Sequence, residues 1–444
     1  MPGKPRDSQT GKPLFPKRRA QLSWALLDWA HQPYFTLITT FIFAPYFAAS
    51  VIGDTVRGQA LWGYTQAAVG LTVALASPVL GAVSDRMGRR KPWIAAFGLL
   101  YVMGNLLLGA ASPGAAQLAL FLILAVVAAG AAAEFMIVFS NAMLPDLAHG
   151  KELGRLSGFG WALGYMGGLL SLILMISLPD AGFEAGQWVG PLTAAWFLVF
   201  ALPLFLFTPD RAKNGVSFLK AVREGLGQLR QTLLNARKYR NAAWFLLAHM
   251  IYADGLAAIY GFGGIYAAGL FGWETRTLGL FGVILILFGV IGSLAGGWAD
   301  DRFGSRRTVL ASLAGLILAL IGALSITQDS ILFGIRTPPA QAGGAPFGSI
   351  SEMAYLGVGA LIGLCGGPAQ AASRTLLARL APREMAGEFY GLFAMSGKAT
   401  SFFAPLMIGV LTLALGSQRA GLTIILVFLA AGFFLMLRVR EAAE

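Results

Sequence analysis

The sequence predicts an all-α integral membrane protein in which twelve transmembrane helices form two pseudo-symmetric six-helix bundles, with both termini in the cytoplasm. Three observations lead to this prediction: an apolar composition arranged in long runs, an uneven distribution of basic residues, and a motif that occurs in both halves. The 444 residues are 57% hydrophobic and only 12% charged, whereas an ordinary soluble protein is about one quarter charged. This composition excludes a cytosolic enzyme, a disordered tail protein and a disulfide scaffold.

Long apolar runs fill most of the chain. A helix needs about 20 mainly apolar residues to cross a hydrocarbon core about 30 Å thick. The strands of a β-barrel would instead alternate over about ten residues, and these runs are too long and too uniformly apolar for that. Twelve runs satisfy the helical requirement: 23–49, 58–83, 92–111, 117–144, 154–178, 190–207, 242–270, 277–299, 308–328, 354–379, 388–415 and 419–437.

Basic residues are concentrated in alternate connections between the runs. If the N-terminus lies in the cytoplasm, 28 of the 33 Lys and Arg residues fall on the cytoplasmic side. The positive-inside rule predicts this asymmetry for an even number of spans with both ends inside. The net charge of +12 therefore indicates the inner leaflet of a bilayer rather than a nucleic-acid partner.

The longest predicted cytoplasmic connection, residues 208–241, separates six spans from six. Its apolar side chains recur at helical spacing between basic ones, which indicates an amphipathic helix on the inner leaflet. Such a helix is either a tether between the halves or a lipid-sensing or partner-binding element, and the tether is favoured because polybasic loops are expected on this side anyway. The predicted domains are a basic cytoplasmic tail at 1–22, six-helix bundles at 23–207 and 242–437 joined by the linker at 208–241, and a second tail at 438–444.

The two halves carry the same motif of glycine, aspartate and arginine, after the second and the eighth span. The two motif aspartates are 216 residues apart, whereas a glycine pattern that starts at Gly154 and again at Gly387 repeats after 233 residues. The difference places an insertion at 329–352, which we expect to be an extracellular loop. Parallel repeats in a twelve-span chain are typical of transporters with two pseudo-symmetric halves. The motif residues are Gly81, Asp85, Arg86, Gly88 and Arg89 in the first copy and Gly297, Asp301, Arg302, Gly304 and Arg306 in the second.

These paired loops resemble the signature of the major facilitator superfamily, and the resemblance covers essentially the whole chain. Residues 24–30, Trp-Ala-Leu-Leu-Asp-Trp-Ala, resemble more narrowly the vacuole-effluxer family, which includes autophagy-linked vacuolar amino-acid exporters and bacterial relatives. Residues 141–148 and several pieces within 366–398 fit that family too, while 31–33, His-Gln-Pro, depart from its pattern. The resemblance implies proton-coupled export of an amino acid or a related small metabolite, and a place in the bacterial cytoplasmic (inner) membrane.

Each motif aspartate can place its carboxylate at a helix N-terminus, which is worth about 0.3–1 kcal/mol through the helix dipole. The resemblance implies that these N-termini belong to the eleventh and fifth spans, which begin near Glu388 and Arg155. We therefore expect Asp301 to pair with Arg155, and either Arg86 or Arg89 to pair with Glu388. These contacts would hold the cytoplasmic side closed; the alternative is that the groups only anchor the topology at the lipid headgroups.

Four polar side chains lie near one depth inside the predicted spans. An ionisable group at mid-helix costs about 2.5–3.5 kcal/mol on insertion scales, so each one requires an explanation. At 1.5 Å per residue the four lie about 13–18 Å from the cytoplasmic ends of their spans, and the resembled superfamily lines its central cavity with these same spans. We predict that they form the substrate and proton site: His31 on span one, Glu134 on span four, Asp254 on span seven and Gln370 on span ten.

Alternatives remain open for several of these groups. Asp254 is a proton carrier, a ligand for a substrate amine, or one half of a buried structural pair with Lys398 or Arg374. Asp28 is expected to pair with Arg155 or Lys398 rather than to touch substrate. Asp28, Arg374 and Lys398 are therefore the candidates for ion pairs inside the membrane, and His31 is equally well explained as a hydrogen-bonded core side chain.

The sequence predicts a secondary active transporter that moves a small metabolite by alternating access. Its predicted partners are the lipid bilayer, a small solute and H⁺, and we expect it to work as a monomer. No cofactor is predicted, because the chain has no phosphate-binding loop and no cluster of Cys and His that could hold a metal. A sugar or drug/cation transporter of the same superfamily and a non-transporting membrane sensor are the alternatives; an enzyme is not expected, because no catalytic set is found.

Overall fold

The computed structural model describes residues 17–53, 55–149, 152–177, 185–212, 214–234, 237–273, 275–338 and 347–440. Parts of the predicted 1–22 tail, 208–241 linker, 329–352 loop and 438–444 tail lie outside these residues. Within them the regular secondary structure is helical apart from one antiparallel hairpin of two short strands. The helices are α1 (Lys17–Pro33), α2 (Phe43–Tyr46), α3 (Thr55–Met87), α4 (Lys91–Leu107), α5 (Ala119–Leu147), α6 (Leu153–Ile176), α7 (Ala185–Phe207), α8 (Phe218–Leu234), α9 (Arg240–Phe271), α10 (Thr275–Phe303), α11 (Ser305–Ser325), α12 (Ile350–Leu380), α13 (Ala386–Ser396), α14 (Phe403–Leu415) and α15 (Gln418–Met436), and the strands are β1 (Ser330–Ile331) and β2 (Ile335–Arg336).

Ten helices of the described chain are long and apolar enough to cross a membrane. They are α3 to α7, α9 to α12, and α15. The first and eleventh predicted spans are interrupted instead. α1 ends at Pro33, and the chain continues as a π-helical segment, Tyr34–Phe41. The α-helix ends there because proline has no N–H to continue the α-helical hydrogen bonds. The eleventh span is divided into α13 and α14 by residues 397–402, which we call the break.

The break coincides with the sequence Gly-Lys-Ala-Thr-Ser-Phe. Glycine is a poor helix former, and serine and threonine hydroxyls compete for backbone groups. Here the Ser401 hydroxyl donates to the carbonyl of Lys398 at 3.1 Å. Irregular backbone at membrane depth is tolerated where it is buried in protein or lines a cavity. The break therefore marks a place where the helix bundle is not packed against lipid alone.

Helices of the two halves meet through glycine. A Cβ built on Gly81 of α3 would lie 2.0 Å from the carbonyl oxygen of Gly387 in α13. A Cβ built on Gly297 of α10 would lie 2.7 Å from the carbonyl oxygen of Gly154 in α6. Because glycine has no side chain, the two backbones touch directly at both crossings. The two contacts are related by the sequence repeat.

The α3–α4 and α10–α11 connections lie at the same end of these helix pairs as the two glycine contacts, and we call this the basic end. Each connection contains a motif glycine in a left-handed conformation, Gly88 with φ +85° and Gly304 with φ +90°. Residues with a side chain rarely adopt such values. A Cβ on Gly88 would also lie 2.3 Å from the carbonyl oxygen of Ala212. The motif glycines are therefore required by the turn and by close packing.

The predicted linker contains a helix, α8, which packs on α3. The residues of α8 that face α3 are small. Ala221 is fully buried, and a Cβ built on Gly225 would lie 3.1 Å from the backbone nitrogen of Val83. The outer face of α8 is mixed: 54% of Phe218 and 80% of Leu219 are exposed, beside the charged side chain of Lys220, which is 66% exposed. Such exposed apolar side chains suit a helix at a lipid interface.

Candidate functional site

The two motif aspartates each bind the first turn of a helix in the opposite half. The carboxylate of Asp85 accepts hydrogen bonds from the backbone N–H groups of Gly387 at 3.0 Å and Glu388 at 2.9 Å. The carboxylate of Asp301 accepts from the N–H groups of Gly154 at 2.8 Å and Arg155 at 3.1 Å. A carboxylate in this position satisfies free N–H groups and opposes the helix dipole. We call these two contacts the latches.

The expected pair between Asp301 and Arg155 is present, with 3.3 Å between the Arg155 Nε and the Asp301 carboxylate. The expected pair of Glu388 with Arg86 or Arg89 is wrong. Glu388 is fully buried and its Oε2 accepts from the Nε2 of Gln228 in α8 at 2.7 Å. The physical reason is the path of the linker, which lays α8 over the start of α13 and supplies a neutral donor.

Arg90, which directly follows the first copy of the motif, is the arginine that pairs with acids. Its guanidinium lies 3.2 Å from the carboxylate of Asp85 and 2.9 Å from that of Asp146. Arg211, just after α7, binds the other side of Asp146 at 2.7 Å. Asp210 accepts from the backbone N–H of Arg90 at 3.0 Å and so caps α4. The only sequence signal for this network is the position of these charges at the ends of spans.

Substituting Gly81 with alanine should separate α3 from α13 and weaken the closure of the basic end. The new methyl group would meet backbone rather than a flexible side chain, and such overpacking costs about 1–3 kcal/mol. Maleimide labelling of a Ser84→Cys reporter in a Cys365→Ser background measures the opening, since Ser84 is fully buried at this crossing. The matched control is Gly63→Ala on the same helix, where a Cβ meets nothing within 4 Å. Equal labelling of the two variants would contradict the prediction.

A second contact between the halves is a buried ion pair. The Nη1 of Arg374 in α12 lies 2.9 Å from the carboxylate of Asp28 in α1, and the two side chains are 4% and 12% exposed. The expectation that Asp28 pairs with Arg155 or Lys398 is therefore wrong. It fails because two side chains at equal depth in the bundle are not necessarily neighbours. The rotation of α12 about its axis decides which of its side chains faces α1.

Arg374 has all its nitrogens occupied. Its Nε donates to the hydroxyl of Ser157 at 2.8 Å and its Nη2 to the carbonyl of the same residue at 2.6 Å. Its Nη1 also lies 3.3 Å from the side-chain oxygen of Asn141. The guanidinium stands over the rings of Trp24 at 4.9 Å and Trp161 at 5.9 Å, a favourable arrangement for a desolvated cation. Arg374, a residue of the second half, is therefore fixed in place by side chains of the first half.

A third contact joins Glu134 of α5 to Lys398 of the break. The Lys398 Nζ lies 2.8 Å from the Glu134 Oε1, and the side chains are 34% and 14% exposed. This pairing rules out the alternative in which Lys398 pairs with Asp254. It also gives the break a function in the packing, since it brings a charged side chain of the second half against α5.

The four predicted site residues have separate partners. His31 lies 3.4 Å from the carboxylate of Asp28, so it belongs to the Arg374 cluster. The Nε2 of Gln370 donates to the hydroxyl of Tyr165 at 3.2 Å. Asp254 is buried, and the hydroxyl of Thr400 lies beside its carboxylate. Of the four, Glu134 alone forms an ion pair in which both partners are partly exposed, and the role of the set as a transport site stays a prediction.

Comparison with known proteins decides the family. The model of the family described as vacuole effluxer Atg22 like matches residues 47–443. The chain belongs to the Atg22-like vacuole effluxer family. This family consists of transporters of the major facilitator superfamily rather than enzymes, as the sequence predicts.

Relatives and a solved structure agree with the Atg22-like assignment. The MFS-type transporter YxiO of Bacillus subtilis is 26% identical over 441 residues, which are 94% of each chain. Autophagy-related protein 22 of Coccidioides immitis is 26% identical over 316 residues, 65% of this chain, and the match spans 50% of that protein's own length. The human organic anion transporter MFSD10 shares the fold, with a TM-score of 0.69 at 16% identity, covering 95% of this chain and 99% of that one.

The Atg22-like match includes Glu134, Arg374 and Lys398, whereas Asp28 and His31 lie before it, at the first helix. As a member of this family, the chain is an integral multi-pass membrane protein. Both latches lie within the matched region.

Proposed function

We propose that this Atg22-like protein is a secondary active transporter that moves an amino acid or a similar small metabolite by alternating access, coupled to protons. The observation that carries the proposal is the pair of latches. Asp85 and Asp301 each hold a helix N-terminus of the opposite half at the same end of the molecule. Two equivalent and breakable contacts at one end suit halves that separate there and rejoin.

The topology that we propose has twelve crossings with both ends in the cytoplasm. The interrupted segments α1 and α13–α14 then provide the first and eleventh crossings, in addition to the ten continuous helices. The basic end faces the cytoplasm, which agrees with the positive-inside rule. The protein works as a monomer in this proposal, since each half finds its partner within the same chain, and the bacterial inner membrane is its place.

The substrate and proton site in this proposal lies between the halves, at Glu134, Asp254, Gln370 and His31. Support comes from the polarity of these groups in otherwise apolar helices, where ionisable residues mark substrate and proton pathways. Glu134 is partly exposed, so a proton from water has access to it. Asp254 is a buried carboxylate of the membrane-spanning helix α9, and it is the second acid that we assign to the proton pathway.

Reconstituted vesicles with an imposed pH gradient test the function. Wild-type protein should accumulate one or more labelled amino acids, and Glu134→Gln or Asp254→Asn should reduce gradient-driven uptake by about 100-fold, as loss of an acid or base group in a proton-transfer step does. Glu224→Gln is the control, because Glu224 is a partly exposed carboxylate of α8 that pairs with Lys220 at 3.8 Å.

A panel of sugars and cationic drugs in the same assay separates the alternatives. Uptake of one of these in place of amino acids would replace the proposed substrate class while keeping the transporter. Wild-type levels of uptake by both acidic variants would remove the proposed site. Vesicles that move none of the tested solutes would argue for the membrane sensor.

A further inference from the structure

Two cations of the second half reach acids of the first half inside the bundle, and they differ in how fully they are bound. Arg374 uses Nε, Nη1 and Nη2 for Ser157, Asp28 and Asn141. Its side chain is 4% exposed. A new anion could reach it only after several hydrogen bonds broke. Arg374 is therefore a structural cation.

Lys398 has the opposite character. An ammonium group has three N–H donors, and among the described residues Glu134 is the partner recorded for its Nζ, at 2.8 Å. One third of the Lys398 side chain is exposed, at 34%. A charge in a membrane-spanning segment faces the bundle interior or a water-filled cavity. Lys398 thus has both free donors and access to solute.

The backbone around Lys398 also differs from that around Arg374. Arg374 lies within continuous α12, whereas Lys398 lies in the break between α13 and α14. Lys398 is not followed by a regular α-helical turn, so its side chain can exchange partners at a smaller cost in packing. In membrane transporters, discontinuous helices of this kind form substrate sites.

We infer that Lys398 is the residue that recognises a carboxylate on the transported solute, and that it does so by releasing Glu134. This inference rests on the proposed transport function and names the solute class: a small molecule that carries a free carboxylate. The solute carboxylate replaces the Glu134 carboxylate on the Lys398 ammonium. Glu134, left without its cation, then takes up a proton that the aqueous phase supplies as hydronium.

The exchange balances charge. Before binding, the Lys398 ammonium neutralises the Glu134 carboxylate; afterwards it neutralises the solute carboxylate, and Glu134 is a neutral acid. The Lys398 ammonium, the Glu134 side chain and the solute carboxylate together carry no net charge in either state, so none of these three groups is left as an uncompensated ion at membrane depth. The groups recorded beside Glu134 in the described chain are Lys398 from the break and Tyr34 from the π-helical segment, which is close enough to feel its charge. Tyr34 donates its hydroxyl to the carbonyl of Val126 and so leaves the proton to Glu134.

The test compares acids with their amides in reconstituted vesicles. The probes are a labelled mixture of the common L-amino acids and the matching mixture of their α-amides. Wild-type protein should prefer the acids by about tenfold or more, the size expected when a desolvated charge pair is lost. Lys398→Gln should bring the ratio close to one, and Lys398→Arg should keep part of the preference.

The Glu134→Gln variant distinguishes exchange of partners on solute binding from a Lys398–Glu134 pair that only stabilises the fold. The solute no longer has to displace an anion, so the KM for the acids in solute exchange should fall by about tenfold, while proton movement with the solute disappears. The double variant Lys398→Gln/Glu134→Gln removes both charges, so it leaves no unpaired carboxylate in the bundle. Comparison with Lys398→Gln therefore shows whether the loss of preference comes from misfolding around an unpaired Glu134. Lys220→Gln is the control for removal of an exposed lysine.

The outcomes separate this inference from the function on which it rests. Wild-type vesicles that move sugars or drugs but no acid would overturn the carboxylate assignment and leave the transporter intact. A Lys398→Gln protein that still prefers acids over amides at the wild-type ratio would overturn the role of Lys398 alone. Vesicles that move no solute at all would remove the proposed function, and this inference with it.

Discussion

Replacing Arg374 with alanine should lower the free energy of unfolding by about 3–5 kcal/mol, the cost of removing one partner of a buried ion pair. The substitution leaves the carboxylate of Asp28 buried, with His31 as its remaining polar neighbour. It also removes the donors that Ser157 and Asn141 now accept from, and the cation that lies over Trp24. We expect this to be the largest effect of any single substitution considered for this protein.

Chemical unfolding of the purified protein in mixed micelles measures the effect of Arg374→Ala. Lys220→Ala is the control, since the Lys220 side chain is 66% exposed and a surface pair contributes about 0–1 kcal/mol. The double variant Asp28→Leu/Arg374→Met should recover most of the loss, because apolar replacement of both partners leaves no buried charge. A double variant as unstable as Arg374→Ala alone would mean that packing, and not charge, explains the loss.

Neutralising both latches, with Asp85→Asn and Asp301→Asn together, should open the basic end. Each aspartate lies at the N-terminus of a helix of the opposite half, and loss of its charge there costs about 0.3–1 kcal/mol. Two such losses together shift the ratio of closed to open protein by roughly 3- to 30-fold. An asparagine keeps the shape of the side chain, so the change acts on charge and acceptor strength rather than on packing.

Labelling of the Ser84→Cys reporter in the Cys365→Ser background measures this opening as well. The double latch variant should be labelled faster than its parent, and each single variant should lie between them. Glu152→Gln is the control, since it neutralises an acid at the start of α6 whose side chain is 52% exposed. If neither latch substitution changed the labelling rate, the two carboxylates would be anchors and not latches.

The helical membrane fold could be predicted because its determinants lie along the sequence. The length of an apolar run and a motif that occurs in both halves need no knowledge of side-chain direction. The Asp301–Arg155 contact could be expected for another reason, since the resemblance to the major facilitator superfamily indicates which helix N-terminus the motif aspartate meets. The interruptions at Pro33 and at Gly397 were also visible in the sequence, but each lies in a run that is apolar enough to be taken as one continuous helix.

Partner choice inside the bundle could not be predicted. Each residue along a helix turns the side chain by about 100°, so equal depth does not make two groups neighbours. Asp28 therefore meets Arg374 rather than Lys398, and Lys398 meets Glu134 rather than Asp254. The partner of Glu388 could not be predicted for a different reason. This partner, Gln228, belongs to the linker, and the path of the linker over α13 depends on tertiary packing.

The glycine crossings have a consequence for the speed of opening. Where α3 touches α13 and α10 touches α6, backbone lies on backbone, with Gly81 against Gly387 and Gly297 against Gly154. A surface without side chains has no rotamers to freeze when it closes or to release when it parts. In the alternating-access cycle that we propose, the two halves would therefore separate and meet again without reordering side chains at these crossings, and the barrier would come from the charged contacts between the halves.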